Sequence, residues 1–272
     1  MAKIVILGTA TSDEIFVGEA GAERPLYPGR RMCGGAPYYT GRALAAAGHE
    51  VTPLLALGDD PAGAAIEAAC RDAGLTAEGI DVQPGAHSPT CRLLYAPHGD
   101  DRCAFDPGDT ATTALTAIQL SLIDQADLMV VAATPAARIA QALAQLGPDQ
   151  RIAWIFKSDP DCFPDAIGRM LVRRAACLFH NRAEADRVTA LITSGDASPI
   201  TFHTRGQDGV IVSLGGKTAI LPVSSLAIDD PTGAGDSFAG YALAALLDGA
   251  SPTVAARHAI DATARFLRRP RT

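Results

Sequence analysis

Aliphatic and β-branched runs alternate along this chain with helical stretches of about ten residues, and that rhythm allows few folds. Residues 3–7 (Lys-Ile-Val-Ile-Leu) form a continuous apolar run closed by Gly8. That is the pattern of a central parallel strand buried on both faces. Residues 51–57, 128–132, 151–156, 176–179 and 199–203 repeat it. Apolar spacing predicts helices over 38–47, 62–73, 114–123, 135–146, 164–174, 233–247 and 252–268, with Gly48, Gly74 and Gly147 as stop signals. A hairpin is expected over 210–214 and 218–222, turning at Gly215-Gly216. The fold class is therefore α/β, with a mostly parallel sheet covered by helices on both faces.

Two pairs of short β-leaning segments interrupt the rhythm. Residues 14–17 and 26–32 flank a polar, Gly-rich stretch at 18–24, and residues 90–96 and 102–105 flank Pro97-His98-Gly99-Asp100-Asp101. Each pair predicts a hairpin off the main sheet. We expect a single domain over 1–272 with a small β lid built from segments at about 14–32 and 90–105.

Composition removes several function classes. Apolar residues make up 48% and charged residues 19%, an ordinary globular balance. The net charge is −7 and no basic stripe runs along the chain, which excludes a nucleic-acid binder. Arg268, Arg269 and Arg271 read as a solvated helix end. The six cysteines (33, 70, 91, 103, 162, 177) form no C-x-x-C pair, and no His stands at ligand spacing from them. Reduced thiols in a cytoplasmic protein are expected. Met1-Ala2-Lys3 is too short a lead for a signal peptide. No apolar run reaches the roughly 18 residues a membrane helix needs.

The stretch with the most chemistry is Asp230-Pro231-Thr232-Gly233-Ala234-Gly235-Asp236-Ser237-Phe238. Phe238, Tyr241, Ala242, Ala245 and Leu246 place one buried face on the helix that follows. Two glycines at a helix start weaken it by about 1 kcal/mol each relative to Ala. Bare backbone there lets an anion reach the first free N–H groups, which the helix dipole favours. Asp236 falls in the first turn beside the same place. Developing negative charge met by donors, with a carboxylate base alongside, suits phosphoryl transfer to a hydroxyl. A Gly-rich turn capped by an acid fits the string equally. Gly34-Gly35 precede another helix in the same manner. Asp13 lies past the first strand, where it reads as a ligand group or a turn residue. The first turn lacks G-x-G-x-x-G and the chain lacks G-x-x-x-x-G-K-[ST], which excludes dinucleotide and P-loop sites.

The Asp230–Phe238 string resembles the C-terminal signature of the ribokinase-like (PfkB) carbohydrate kinases. The resemblance extends to Gly34-Gly35-Ala36-Pro37 with Leu57-Gly58-Asp59-Asp60, to Asn181-x-x-Glu184, and to Thr204-x-Gly206-x-x-Gly209. It implies a three-layer α/β/α sandwich with a β lid. Asp236 would be the general base, and the N–H groups of Gly233, Ala234 and Gly235 an anion hole. Asn181 and Glu184 would organise Mg²⁺ through its waters, although they also read as a helix-capping pair. Thr204, Gly206 and Gly209 would hold ATP, where a plain turn is the other reading. Asp13, Gly34, Gly35 and Tyr39 would meet substrate hydroxyls, and Asp230 would stand near a K⁺ site. Tyr39 replaces an Asn common in the family. With Tyr38 and the short lid, it makes the chain more similar to myo-inositol kinases. The expected substrate is a polyol, sugar or cyclitol. Alternatives are a nucleoside, with Phe16, Tyr38 or Phe105 as a base platform, or a non-catalytic ligand-binding protein on the same fold. Neither nucleic acid nor membrane is an expected partner. A homodimer through the lid is expected because open sheet edges tend to pair.

Overall fold

A computed structural model describes residues 1–19, 21–96, 101–192, 199–226, 228 and 230–268. Arg269, Arg271 and the 97–100 turn lie outside the described residues. In chain order come β1 (Lys3–Leu7), β2 (Thr11–Val17), β3 (Arg24–Pro25), β4 (Met32–Gly34), α1 (Ala36–Ala46), β5 (Glu50–Gly58), α2 (Pro61–Asp72) and β6 (Ile80–Gln83). Next are β7 (Thr90–Tyr95), β8 (Arg102–Asp106), α3 (Ala117–Asp124), β9 (Leu128–Val131), α4 (Ala136–Gln145), β10 (Arg151–Ile155) and α5 (Asp165–Arg174). The chain ends with β11 (Ala175–Asn181), α6 (Ala185–Leu191), β12 (Ile200–Thr204), β13 (Val210–Leu214), β14 (Lys217–Leu221), α7 (Ala234–Leu247) and α8 (Pro252–Arg268).

One sheet runs β14-β13-β12-β11-β10-β9-β1-β5-β6. From β6 to β12 its neighbours are parallel, and β13 and β14 are antiparallel. The period-2 pleat sorts the side chains cleanly. Ile4, Ile6, Val130, Ala153, Phe179 and Phe202 face α1, α7 and α8 in one core. Val5, Leu7, Met129, Val131, Ile152, Trp154 and Leu178 face α3–α6 in the other. Both faces are thus buried, as the unbroken apolar runs require. No helix among the described residues is long and apolar enough to cross a membrane.

The lid departs from two separate hairpins. β2 and β7 pair in parallel, which joins both segments into one sheet, β3-β2-β7-β8, with β4 also on β2. The strand expected at 26–32 is broken by Pro28-Gly29. Gly29 has φ 69° and Arg30 N–H donates to Tyr27 O at 3.1 Å, a turn that leaves only Met32–Gly34 extended. β6 had no strong sequence signal, being a short, half-exposed edge strand (Ile-Asp-Val-Gln).

Helix α7 sits very close to α1. A Cβ on Gly240 would lie 2.6 Å from Thr40 O and 2.7 Å from the Ala43 Cβ. Gly240→Ala should therefore lower the melting temperature by several degrees, an overpacking cost of about 1–3 kcal/mol, although Ala is the better helix former. A thermal melt at or above the parent's would show that the two helices separate freely.

Candidate active site

A cavity of about 890 Å³ opens between the lid and the carboxyl ends of β1, β9, β10 and β11. Open α/β sheets place ligands at this edge. Its walls include Ala10, Asp13, Gly35, Tyr39, Cys91, Tyr95, Cys103 and Phe105 on the lid side. Lys157, Asn181, Glu184, Thr204 and the whole of 231–236 close the other side.

The start of α7 is shaped by Gly233, the N-cap, at φ 73°. A Cβ there would lie 2.5 Å from the Tyr39 ring, so both the left-handed backbone and the space demand glycine. Ser237 N–H closes the first helical bond to Gly233 O at 2.8 Å. Among the described hydrogen bonds, the N–H groups of Gly233, Gly235 and Asp236 have no protein acceptor. Ala234 differs from expectation. Its N–H donates to Pro231 O at 3.0 Å, because the 231–234 turn that builds the cap consumes it. Gly235 has nothing within 4 Å of where a Cβ would stand, so an anion has room to approach. Thr40 Oγ1 donates to Asp236 O at 2.9 Å and pins this turn to α1.

The carboxylates differ in environment. Asp236 is half-buried; burial raises its carboxyl and the Lys157 ammonium lowers it. Glu184 is 5% exposed, and burial again raises it, opposed by the Asn181 N–H and Lys157. Asn181 and Glu184 do form the reciprocal capping box: Glu184 N–H donates to Asn181 Oδ1 at 3.1 Å and Asn181 N–H to Glu184 Oε2 at 2.8 Å. The same pair lines the cavity, so the capping reading and the functional reading hold together.

Asp13 is 3% exposed and its Oδ1 is buried with no hydrogen-bond partner. Burial above all, with Cys103 and Asp230 in support, lifts its carboxyl to about 7 against the Thr11 hydroxyl. Gly34 makes the room: a Cβ on it would stand 1.9 Å from Asp13 Oδ2. Gly34 thus lies behind Asp13 and outside the cavity walls, whereas Gly35 (φ 89°) lines them. Tyr39 is 4% exposed and both lines the cavity and backs Gly233. Thr204 reaches the cavity, while Gly206 is exposed beyond it. Gly209 is fixed by packing, since its Cβ would meet Leu221 O at 2.2 Å. Asp230 accepts from Tyr27 Oη at 3.0 Å and from Thr232 N–H at 2.9 Å. Tyr95 Oη and Thr232 Oγ1 lie 2.7 Å apart, a second tie between lid and α7.

Several residues at the cavity escaped the sequence reading. Lys157 follows β10 and carries the only hint available, a lone cation just past an apolar strand. Cys91 and Cys103 meet across the lid at 3.1 Å, and the Cys91 thiol and Lys157 draw Cys103 down to about 6. That proximity needs the β7–β8 register and has no local signal. His180 stacks on His203 at 4.5 Å, and burial holds it at about 4, so its ring is neutral at pH 7.

Asp13 supplies a stability test. Between its ordinary 3.8 and about 7, the folded chain holds a proton that the unfolded chain has lost. Stability therefore falls as pH rises through that window and stays lower above it. The melting temperature of the parent should drop more from pH 5 to pH 8 than that of Asp13→Asn. Parallel curves would mean that Asp13 titrates normally.

Known proteins share this fold and family. The model for the pfkB family carbohydrate kinases matches residues 29–266. A 2-dehydro-3-deoxygluconokinase from Thermoproteus tenax is 26% identical over 263 residues, covering 82% of this chain and 75% of the relative. Two solved structures share the fold. One is a nucleoside kinase from Burkholderia thailandensis in complex with inosine (TM-score 0.80, 21% identity, 98% of this chain and 92% of the other). The other is an Arabidopsis thaliana ribokinase complexed with ribose and ATP (TM-score 0.80, 17% identity, 99% and 93%). With the family model spanning most of the sequence, the chain belongs to the pfkB family of carbohydrate kinases, phosphotransferases that use ATP and an alcohol acceptor.

Proposed function

We propose that the chain transfers the γ-phosphoryl group of ATP to a hydroxyl of a small polyhydroxylated molecule, a sugar or a cyclitol such as myo-inositol. The observation that carries this is the start of α7, where Asp236 and the unbonded N–H groups of Gly233, Gly235 and Asp236 face one cavity. Asp13 accepts hydroxyls of the acceptor and holds it on the lid side. As the acceptor oxygen bonds to the γ-phosphorus, the bond to the β-phosphate oxygen breaks. The acceptor proton passes to Asp236. The helix N–H groups meet the charge on the phosphoryl oxygens. A weak base suffices because the proton leaves late in a loose transition state.

Asn181 and Glu184 would hold Mg²⁺ through its waters, since this ion is bound by one or two carboxylates together with waters and substrate phosphates and both residues line the cavity. When bound, that ion would offset the negative charge of the phosphates. Among the described residues no group of three acidic, His or Cys side chains could cage a metal without the nucleotide. Asp230 would stand near a K⁺ site, its carboxylate steadied by Tyr27 Oη and Thr232 N–H, and no step is assigned to that ion. Asn181 and Thr204 would face the nucleotide, with the open backbone at Gly206 beside it.

One observation favours a nucleoside as the second reading. Phe105 is 52% exposed and lines the cavity from the lid, offering a flat face to a base. Phe16 is instead covered by the Arg92 guanidinium at 4.5 Å, and Tyr38 lines a different cavity. All of β8 is exposed, an open edge through which two copies would pair as a homodimer; a monomeric mass by light scattering would remove that part.

ADP release from MgATP with sugars, sugar acids, cyclitols and nucleosides tests the reading. Turnover on one class is expected, and none on any class would sink it. Asp236→Asn should lower kcat about 10²–10⁴-fold with ATP affinity nearly unchanged. Unchanged turnover would remove Asp236 as base. Gly235→Ala should stabilise the fold by up to about 1 kcal/mol while slowing transfer at least about tenfold, because the added methyl occupies the anion's place. Full activity in that variant would show that the phosphoryl group lies elsewhere.

A further inference from the structure

We infer that Lys157 is a catalytic residue whose ammonium contacts the transferring phosphoryl group from the side opposite the N–H donors of α7. The inference rests on the kinase reading above. It starts from the pleat. Ile155 pairs with Phe179 and Phe179 with Phe202, three residues in line on the face that α7 covers. Phe238 of α7 packs on Phe179 and Phe202 at 6.4 and 6.1 Å. Two residues further along the strands return to the same face. They are Lys157, Asn181 and Thr204, of which Asn181 and Thr204 are register partners. Phe156 N–H still bonds Phe179 O at 2.9 Å, so β10 keeps its pairing up to Lys157. All three residues line the cavity at the sheet's carboxyl edge, under the first turn of α7.

The charge of Lys157 is not used by the fold. Its side chain is exposed, and no described carboxylate lies within ion-pair distance of it. Its field nonetheless reaches Asp236 and Glu184 on one side and the lid thiols of Cys91 and Cys103 on the other. Lys157 lines the same cavity as the α7 turn and as Cys91 and Cys103 of the lid. Besides Lys157 the cavity gathers Asp13, Asp159, Asp161, Glu184 and Asp236 against one further cation, the buried Arg138, which is held by Thr113 O, and it would receive the phosphates of ATP. A cation there offsets the charge spread over the phosphoryl oxygens. The choice of residue agrees. The sequence has twenty Arg and three Lys, and the other two lysines, Lys3 and Lys217, begin strands. A compact ammonium on a flexible stem can follow a moving phosphoryl group, where a planar guanidinium prefers a fixed fork.

The test uses the full chain with Lys157→Met and Lys157→Arg. Melting temperature and ADP affinity should stay close to the parent's, since Lys157 is exposed and makes no described ion pair. In Lys157→Met, kcat should fall about 10²–10³-fold at every pH, and affinity for the complex of ADP, aluminium fluoride and acceptor should fall by a similar factor. Lys157→Arg should recover part of both. If Lys157→Met regains the parent's kcat at any pH, the ammonium does not contact the phosphoryl group and the inference is overturned. A Met variant with full aluminium-fluoride affinity overturns it as well. If the parent turns over no acceptor at all, the kinase reading has failed and Lys157 falls with it; if the parent is active and Lys157→Met matches it, this inference alone fails.

Discussion

The contact between the Tyr39 ring and the backbone of Gly233 sets the rest of this site in place. No side chain fits between them, and only a residue at ease with φ 73° can make the turn. The turn aims α7 so that its first N–H groups point out of the sheet's edge. Thr40 then holds the Asp236 carbonyl, and Gly240 lets α1 and α7 approach until backbone meets backbone. The site is therefore built on two packed helices and a buried sheet. Such a base can hold donors within the few tenths of an ångström that electrostatic catalysis asks for.

The lid is tied to this machinery by polar contacts. Tyr27 reaches Asp230, and Tyr95 reaches Thr232, from two segments joined by the β2–β7 pairing. Both tyrosines end on the three residues that lead into the α7 turn. Movement of the lid and ordering of that turn are thus linked through two hydroxyls. Hydrogen bonds of this kind contribute about 1 kcal/mol each, small enough to exchange during a catalytic cycle.

Burial pushes Asp13, Glu184 and Asp236 in the same direction, and the remedies differ. Glu184 is held by a backbone N–H, Asp236 by Lys157, while Asp13 is left with a bare oxygen and sits near neutrality. An unsatisfied buried carboxyl is costly unless a ligand completes it. Hydroxyls of a bound polyol would do so.

Much was legible in the sequence because it depended on local spacing. Unbroken apolar runs specified parallel strands buried on both faces, and α8 matched its expected bounds. Gly-Ala-Gly-Asp announced a bare helix start beside a carboxylate. Asn181 and Glu184 stand three apart, so their mutual bonding follows from one turn of chain. Contacts between distant segments were settled only by the tertiary structure. It turned two expected hairpins into one lid sheet, moved Gly34 behind Asp13, and committed the Ala234 N–H to a turn. It also brought Lys157, a residue with no motif around it, to the row that holds Asn181 and Thr204. The physical reason is that a strand's period fixes which face a residue takes, while register and helix packing across the sheet fix what it will meet there.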